Sequence, residues 1–418
     1  MSSSGGVELD FIRRGELLHL FVFLAVVTIA YKRANLPDFR EKEVYVKGSV
    51  VGDIIREPGH TLTKLRIEES EIEDIKGRKA FLKIFGFLPP NTRELSLLGN
   101  VSVRNNRVFV YAKGQDVEIL PHSESLREKL MDRYSSVSMD KSMVPLGLSF
   151  LFGEPRELLP SRAQRDFLNT GLVHLLVVSG LHVGTIALVL SKMLPRFQGM
   201  KLALAGVLLY SLLVVPHEPP VLRASLMFGV AILAILSFHR PNMLSILLFS
   251  GTVILLIYPH YVFSYSFWLS FTATAYIILA LKDLEASTSV KTLIASASAF
   301  TGVAPLVSIF YGVSPLSVVL TPLLSPIVLL YSALGVLSLL TFMSFPPFVD
   351  LFNLTGRFFE TTVHAGASLS FRLYPHISLY EAVMLCVAGL VLLYQLGGYR
   401  KVFPLVGINL WLFLRVVL

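Results

Sequence analysis

Two histidines, a serine and three glycines stand inside one apolar stretch, Phe167-Leu-Asn-Thr-Gly171-Leu-Val-His174-Leu-Leu-Val-Val-Ser179-Gly180-Leu-His182-Val-Gly184, which continues apolar to Leu190. Ser179 and His182 are three positions apart, so on a helix they touch. Such a pair is the start of a serine hydrolase, which would also need an oxyanion site and a base held in order. His174 and His182 are eight positions apart, about 80° around a helix, and would share one broad face. Two histidines make a metal site only with further ligands, and acids are few near span centres, so no metal or cofactor is expected. The other chemistry open to these groups is passive. Polar side chains at membrane depth hydrogen-bond neighbouring helices or line a wet path. Gly180 and Gly184 either let helices pack closely or break one.

Arg223 follows Pro219-Pro220 and opens an apolar run. It either snorkels outward or presents a fixed positive charge to an anionic substrate. Ser266, Ser270 and Thr274 are four apart and form a polar stripe, as helix–helix glue or as a pore wall. Pro305, Pro315, Pro322 and Pro326 are dense enough to predict broken helices, which are tolerated at membrane depth where protein or a wet cavity satisfies the freed backbone. Arg357, Glu360 and His364 read as the solvated face of an interfacial helix.

The elements that position these groups follow from composition. The chain is 53% hydrophobic and 16% charged, well below the charged fraction of soluble domains, roughly a quarter. Apolar runs of about 17–22 residues dominate after residue 165, so the chain is a polytopic α-helical membrane protein. Its net charge of +8 is what basic loops that fix membrane orientation produce, and by itself gives little support to a nucleic-acid partner. The single cysteine, Cys386, excludes an internal disulfide and a cysteine metal cluster. No Gly-x-x-x-x-Gly-Lys-Ser/Thr occurs, so the chain brings no P-loop ATPase.

In order, residues 1–16 read as a cytoplasmic tail and 17–33 as the first transmembrane helix, retained because Tyr31-Lys32-Arg33 replaces a cleavage site. Residues 44–120 alternate valine with polar residues, with turn chemistry at Pro58-Gly59 and Asn105-Asn106. They predict a small N-terminal all-β domain of five or six strands, a barrel of the oligonucleotide/oligosaccharide-binding (OB) kind or part of a sandwich. Residues 121–165 form a linker: Ser123–Asp140 is amphipathic along the membrane surface, and Val144–Phe152, too short to span, is interfacial or re-entrant. Residues 166–418 form the polytopic domain, with 353–374 at an interface. Loops carrying Lys192, Arg196 and Lys201, then Arg240, then Lys282 and Lys291 alternate with loops free of Lys and Arg. The positive-inside rule makes the basic loops cytoplasmic and the β domain extracytoplasmic, with Lys32-Arg33 standing against it.

These motifs resemble the ComEC family of competence proteins, bacterial channels that pass single-stranded DNA inward during natural transformation. The likeness is carried by Phe152-Gly-Glu-Pro-Arg-Glu-Leu158, by Phe167, Gly171 and His174-Leu-Leu-Val-Val-Ser179-Gly-Leu-His-Val183, by Pro220-Val-Leu-Arg223-Ala224 with Met227, by Phe267-Trp-Leu-Ser270-Phe271, and by Ala304-Pro305, Phe310 and Pro322–Pro326. It implies an inner-membrane, multi-pass channel with an external OB-like domain. Single-stranded DNA, the lipid bilayer, an outside DNA receptor, a separate nuclease and a cytoplasmic helicase-like motor are the implied partners. His174, Ser179, His182, Arg223 and Ser270 are expected near the path, with Gly180 and Gly184 as packing or helix-breaking residues. Many members continue into a metallo-β-lactamase-like domain; this chain stops at Leu418, so a channel without its own nuclease is expected. Thr321 stands where the family tends to have asparagine. The rival readings are an intramembrane serine hydrolase using Ser179 and His182, and an exporter of another anionic polymer.

Overall fold

The computed structural model describes residues 4–36, 38–51, 54–89, 92–104, 106–121 and 124–417. Asn105, Ser123, Leu418 and the first three residues of the expected tail lie outside the described residues. The chain forms two compact units: Val26–Ser125 with Tyr258–Phe263, and the remainder.

The first helix, α1, runs Ser4–Ala34, so the described part of the expected tail is helical and continuous with the span. The β unit follows, with strands β1 (Phe39–Val50), β2 (Ile55–Glu57), β3 (His60–Ser70), β4 (Lys79–Phe85), β5 (Glu94–Arg104), β6 (Arg107–Lys113) and β7 (Val117–Ile119). Five of them close on themselves in the order β1-β3-β4-β6-β5-β1. The β4–β6 pairing is parallel and the rest antiparallel, a closed five-stranded OB-like barrel. Closure depends on β1 bending to pair with β3 and β5 together. The register shifts at Lys47/Gly48, where a side chain on Gly48 would meet the Arg66 carbonyl oxygen at 2.2 Å. The period-2 alternation turns Val44, Val46, Leu65, Ile67, Leu82, Ile84, Val108 and Val110 inward as a dry core. Pro58-Gly59 forms the expected turn, with Gly59 at φ +84°. Arg78 ties the barrel to the end of α1. Its guanidinium donates to the Ala34 carbonyl, to Asn106 Oδ1 at 3.0 Å and, through Nε, to the Asp74 carbonyl at 3.1 Å. A cation at a helix C-terminus is also favoured by the helix dipole.

The other unit comprises α2 (Leu126–Val137), α3 (Val144–Phe152), α4 (Ser161–Thr170), α5 (Val173–Leu176), α6 (Gly180–Met193), α7 (Arg196–Leu209), α8 (Pro219–Leu236), α9 (Met243–Ile257), α10 (Tyr265–Leu281), α11 (Thr288–Ser308), α12 (Ser317–Leu340), α13 (Pro346–Leu369), α14 (Leu379–Gln395) and α15 (Val402–Val417). Among the described residues five helices are long and apolar enough to cross a membrane: Gly15–Ala34, Arg196–Val214, Pro219–Leu236, Thr288–Ser308 and Ser317–Leu340. α3 is short but buried along its length, with Leu146, Phe150, Leu151 and Phe152 inside the core. α2 turns Leu130 and Tyr134 onto the same core, and Tyr134 donates to Asn353 Oδ1 at 2.7 Å.

One expectation is corrected here. Pro305 lies inside α11, and Pro322 and Pro326 lie inside α12, so those helices are not broken; Pro315 does stand at a break, between α11 and α12. Each proline removes one backbone donor, but a packed face of Leu324, Val328, Tyr331, Ser332 and Gly335 holds α12 in one piece. Residues 353–374 fall largely within α13, whose stripe of Val349, Phe352, Asn353, Gly356, Phe359, Val363 and Gly366 is buried. Its polar residues are tied down as well. Arg357 pairs with Asp140, and His364 Nδ1 meets Asp166 Oδ2 at 2.7 Å.

Candidate functional site

The stretch from Phe167 to Leu190 is not one continuous helix. α4 ends at Gly171, which is left-handed at φ +73° and caps the helix. One turn, α5, follows. The chain is then extended at Val177 and Ser179, and α6 starts at Gly180. The composition is apolar enough for a span, but Gly171 stops one helix and Ser179 starts another, and these local signals win. His174 and His182 therefore do not share a helical face. His174 is exposed on α5, its Nδ1 3.1 Å from the Gly171 carbonyl oxygen.

Ser179 is the N-cap of α6, in a capping box with His182 as the third helical residue. The Ser179 backbone N–H donates to His182 Nδ1 at 3.2 Å, while Ser179 Oγ lies 3.4 Å from the same nitrogen. Accepting that bond puts the ring hydrogen on Nε2, which is buried without a partner among the described residues. A hydrolase base needs its inner nitrogen free for the serine proton and its outer nitrogen held by a third group. His182 offers neither. It is 2% exposed and packs at 4.3 Å against Phe150, which lies 4.2 Å from Tyr331, itself stacked on Phe352.

Arg223 comes to the start of α6 from the second turn of α8. It is 9% exposed, and its Nη1 donates to the Ser270 carbonyl oxygen of α10 at 2.9 Å. That oxygen also accepts from Thr274 Oγ1 at 2.9 Å. No carboxylate lies within ion-pair distance of Arg223 among the described residues, and its Nε and the Ser270 hydroxyl are buried without partners. The guanidinium is drawn inward, where the N-terminus of α8 disfavours a cation and no acid offsets it. Its Nη2 is 3.6 Å from where a Gly180 side chain would start, so it borders the first turn of α6. A buried guanidinium beside the positive end of a helix suits an anionic group such as a phosphate.

Gly180, Arg223 and Ser270 thus meet where α8 bridges α6 and α10, Ser179 and His182 cap α6 with the His182 ring turned to Phe150, and His174 stands apart. Gly184 is on the exposed side of α6, and a side chain there would meet nothing within 4 Å. Among the described residues nothing packs closely against it. Gly184 leaves its side of α6 bare, while a side chain on Gly180, one turn earlier, would stand against Arg223 and Ala224. Among the described residues no group of three or more His, Cys, Asp or Glu is placed to hold a metal.

Sequence reasoning passed over Glu16. Its carboxylate is 3% exposed and takes Asn242 Nδ2 at 3.0 Å, Lys282 Nζ at 3.2 Å and the Tyr394 hydroxyl at 3.1 Å. A carboxylate one residue before an apolar run was the available signal. It joins the start of the Gly15–Ala34 span to Asn242 before α9, Lys282 after α10 and Tyr394 of α14.

Comparison with known proteins bears on this arrangement. The family model described as "Competence protein" matches residues 150–403, the region that builds the α6–α8–α10 junction. An uncharacterized protein of Aquifex aeolicus is 43% identical over 413 residues, covering 98% of this chain and all of that protein. ComE operon protein 3 of Bacillus subtilis is 37% identical over 117 residues, 26% of this chain and 15% of that protein. No solved structure matches the chain. With the family model spanning more than half of its length and every motif residue of the junction inside the match, the chain belongs to the ComEC-type competence protein family.

Proposed function

We propose that this membrane protein is an inner-membrane channel that passes one strand of DNA into the cytoplasm during natural transformation. Family membership supports a role in DNA uptake in competence. The observation that carries the finer reading is Arg223, a buried guanidinium at the N-terminus of α6 without a carboxylate partner among the described residues. A polyanion sliding past one such charge is attracted without being trapped, because a single strand is held without sequence preference by cationic groups taken one at a time. The bare position at Gly184, one turn along α6 from Gly180, leaves room near it.

Glu16 supports an orientation. It bonds Lys282 and Asn242, so the start of the Gly15–Ala34 span shares a membrane side with the basic loops, which the positive-inside rule makes cytoplasmic. The span Gly15–Ala34 measures about 30 Å, enough to deliver the chain to the other side, where the β domain receives DNA. An outside receptor, a separate nuclease and a cytoplasmic motor complete the system. The serine-hydrolase reading loses ground to the capping geometry of Ser179 and His182, and nothing specific favours export of another polymer.

The test is to remove the gene and score internalised, nuclease-protected labelled DNA separately from surface-bound DNA. Loss of the first with retention of the second is expected. Normal internalisation in the deletion strain overturns the proposal.

A further inference from the structure

The turn that ends α8 holds a side chain its backbone does not favour. The Phe238 N–H donates to the Ile235 carbonyl at 3.0 Å and the His239 N–H to the Ala234 carbonyl at 2.8 Å, a Schellman turn. Glycine usually fills the left-handed position of that turn, yet Phe238 holds it at φ +61°. Its ring is 87% exposed, more than any other large apolar side chain among the described residues. Phe197, in the first turn of α7, is half exposed, and its ring centroid lies 6.5 Å from that of Phe238. Met193 and Leu194, where α6 ends, are open as well. The contact between the rings joins the α6–α7 and α8–α9 loops.

Cations flank both rings. Lys192 and Arg196 precede Phe197, His239 and Arg240 follow Phe238, and all of them are exposed. No Asp or Glu occurs between Asp166 and Glu218 or between Glu218 and Asp283, so neither loop carries an acid. The carboxylate that reaches the α8–α9 loop, Glu16 on Asn242, is buried and shared with Lys282 and Tyr394. Both rings stand at the ends of helices able to cross a membrane, Arg196–Val214 and Pro219–Leu236. That level is the boundary between acyl chains and headgroups, where lipid covers an aromatic ring and Lys or Arg reaches a phosphate. The ring planes lie 59° apart, so the pair offers no platform for stacked bases. A zwitterionic headgroup would bring its own cation to this acid-free cluster, and an anionic one would not.

We propose that the joined α6–α7 and α8–α9 loops form a headgroup site for an anionic phospholipid, with Phe197 and Phe238 among the acyl chains and Arg196 and Arg240 on the phosphate. The site depends on neither strand transport nor the orientation of the chain. The probes are dioleoylphosphatidylglycerol, dioleoylphosphatidylcholine and inorganic phosphate, each titrated into the full chain in neutral detergent. Native mass spectrometry reads retained lipid, and melting temperature reads stabilisation. Phosphatidylglycerol binds more tightly than phosphatidylcholine and raises the melting temperature. Arg240→Gln weakens its binding about fivefold, the effect of one surface cation, and Arg196→Gln with Arg240→Gln about 25-fold. Phe238→Gly melts no lower than wild type in detergent alone, because glycine takes the left-handed turn freely, yet loses the stabilisation by phosphatidylglycerol. Phe238→Trp keeps it. Equal retention of the two lipids overturns the proposal, as does undiminished phosphatidylglycerol binding in the double variant or full stabilisation of Phe238→Gly. A melting shift from inorganic phosphate as large as that from phosphatidylglycerol overturns it too, since no acyl chain is then needed.

Discussion

Two glycines in the helical unit should respond to the same substitution with opposite signs. Gly184 lies inside α6 with nothing within 4 Å of a side-chain position, and Gly147 lies in α3 with the Tyr134 hydroxyl oxygen 2.1 Å and Cζ 2.6 Å from that position. Gly184→Ala gains helix propensity of about 0.8–1 kcal/mol and meets no clash, a four- to fivefold rise in the folded ratio. Gly147→Ala gains the same propensity but must displace a fully buried ring. Overpacking costs about 1–3 kcal/mol, and the displaced hydroxyl loses its 2.7 Å bond to Asn353, about 1 kcal/mol or more if Asn353 is left unpaired. The net expectation for Gly147→Ala is a loss of roughly 1–3 kcal/mol. Apparent melting temperature in detergent reads both. Function should then part from stability: Gly184→Leu fills the bare face of α6 beside the Arg223 junction, so internalised DNA falls although the protein melts no lower than wild type. Equal destabilisation by the two alanines would refute the packing argument. Undiminished uptake by Gly184→Leu would refute the path.

Ser179→Ala removes the N-cap of α6 and should cost about 0.5–2 kcal/mol while substantial uptake persists; complete loss in a variant that still folds would return Ser179 to chemistry. Arg78→Ala leaves the Ala34 carbonyl and Asn106 without their shared donor, and should raise amide exchange at the end of α1 and around Asn106 above wild type; unchanged exchange would mean the latch is slack. Hydrogen bonds from Ser142, then the charge of Arg357, hold the Asp140 carboxyl below its ordinary 3.8. A depressed folded value means the contribution is full above that ordinary value and is lost as pH falls through the folded one. The melting difference between wild type and Asp140→Ala should therefore be constant from pH 7 to about 4.5 and shrink below about pH 4. A difference that grows on acidification would contradict the sign.

The membrane class and the barrel were readable because both rest on long-range repetition. Apolar runs of span length and the period-2 alternation around Val44–Val46 and Val108–Val110 survive any local exception. The break within Phe167–Leu190 was harder to see. Gly171 and Ser179 are cap signals, but inside an apolar run a serine and a glycine serve helix packing equally well. The prolines misled in the opposite direction, since a packed helix carries Pro322 and Pro326 without interruption. Arg223 could be singled out by its type but not by its direction, because snorkelling and burial begin from the same position. Its meeting with Gly180 and Ser270 joins residues 43 and 47 positions away, which spacing does not encode.

The central claim is that Arg223 meets the translocating strand. The direct test is internalised DNA at constant surface-bound DNA in a charge series at that position, with membrane insertion checked by immunoblot. Arg223→Ala should lower internalisation about tenfold or more, the effect of losing one charge-assisted contact. Arg223→Lys, which keeps the charge without the planar fork, should fall between alanine and wild type. Internalisation by a normally inserted Arg223→Ala protein at the wild-type level would contradict the account.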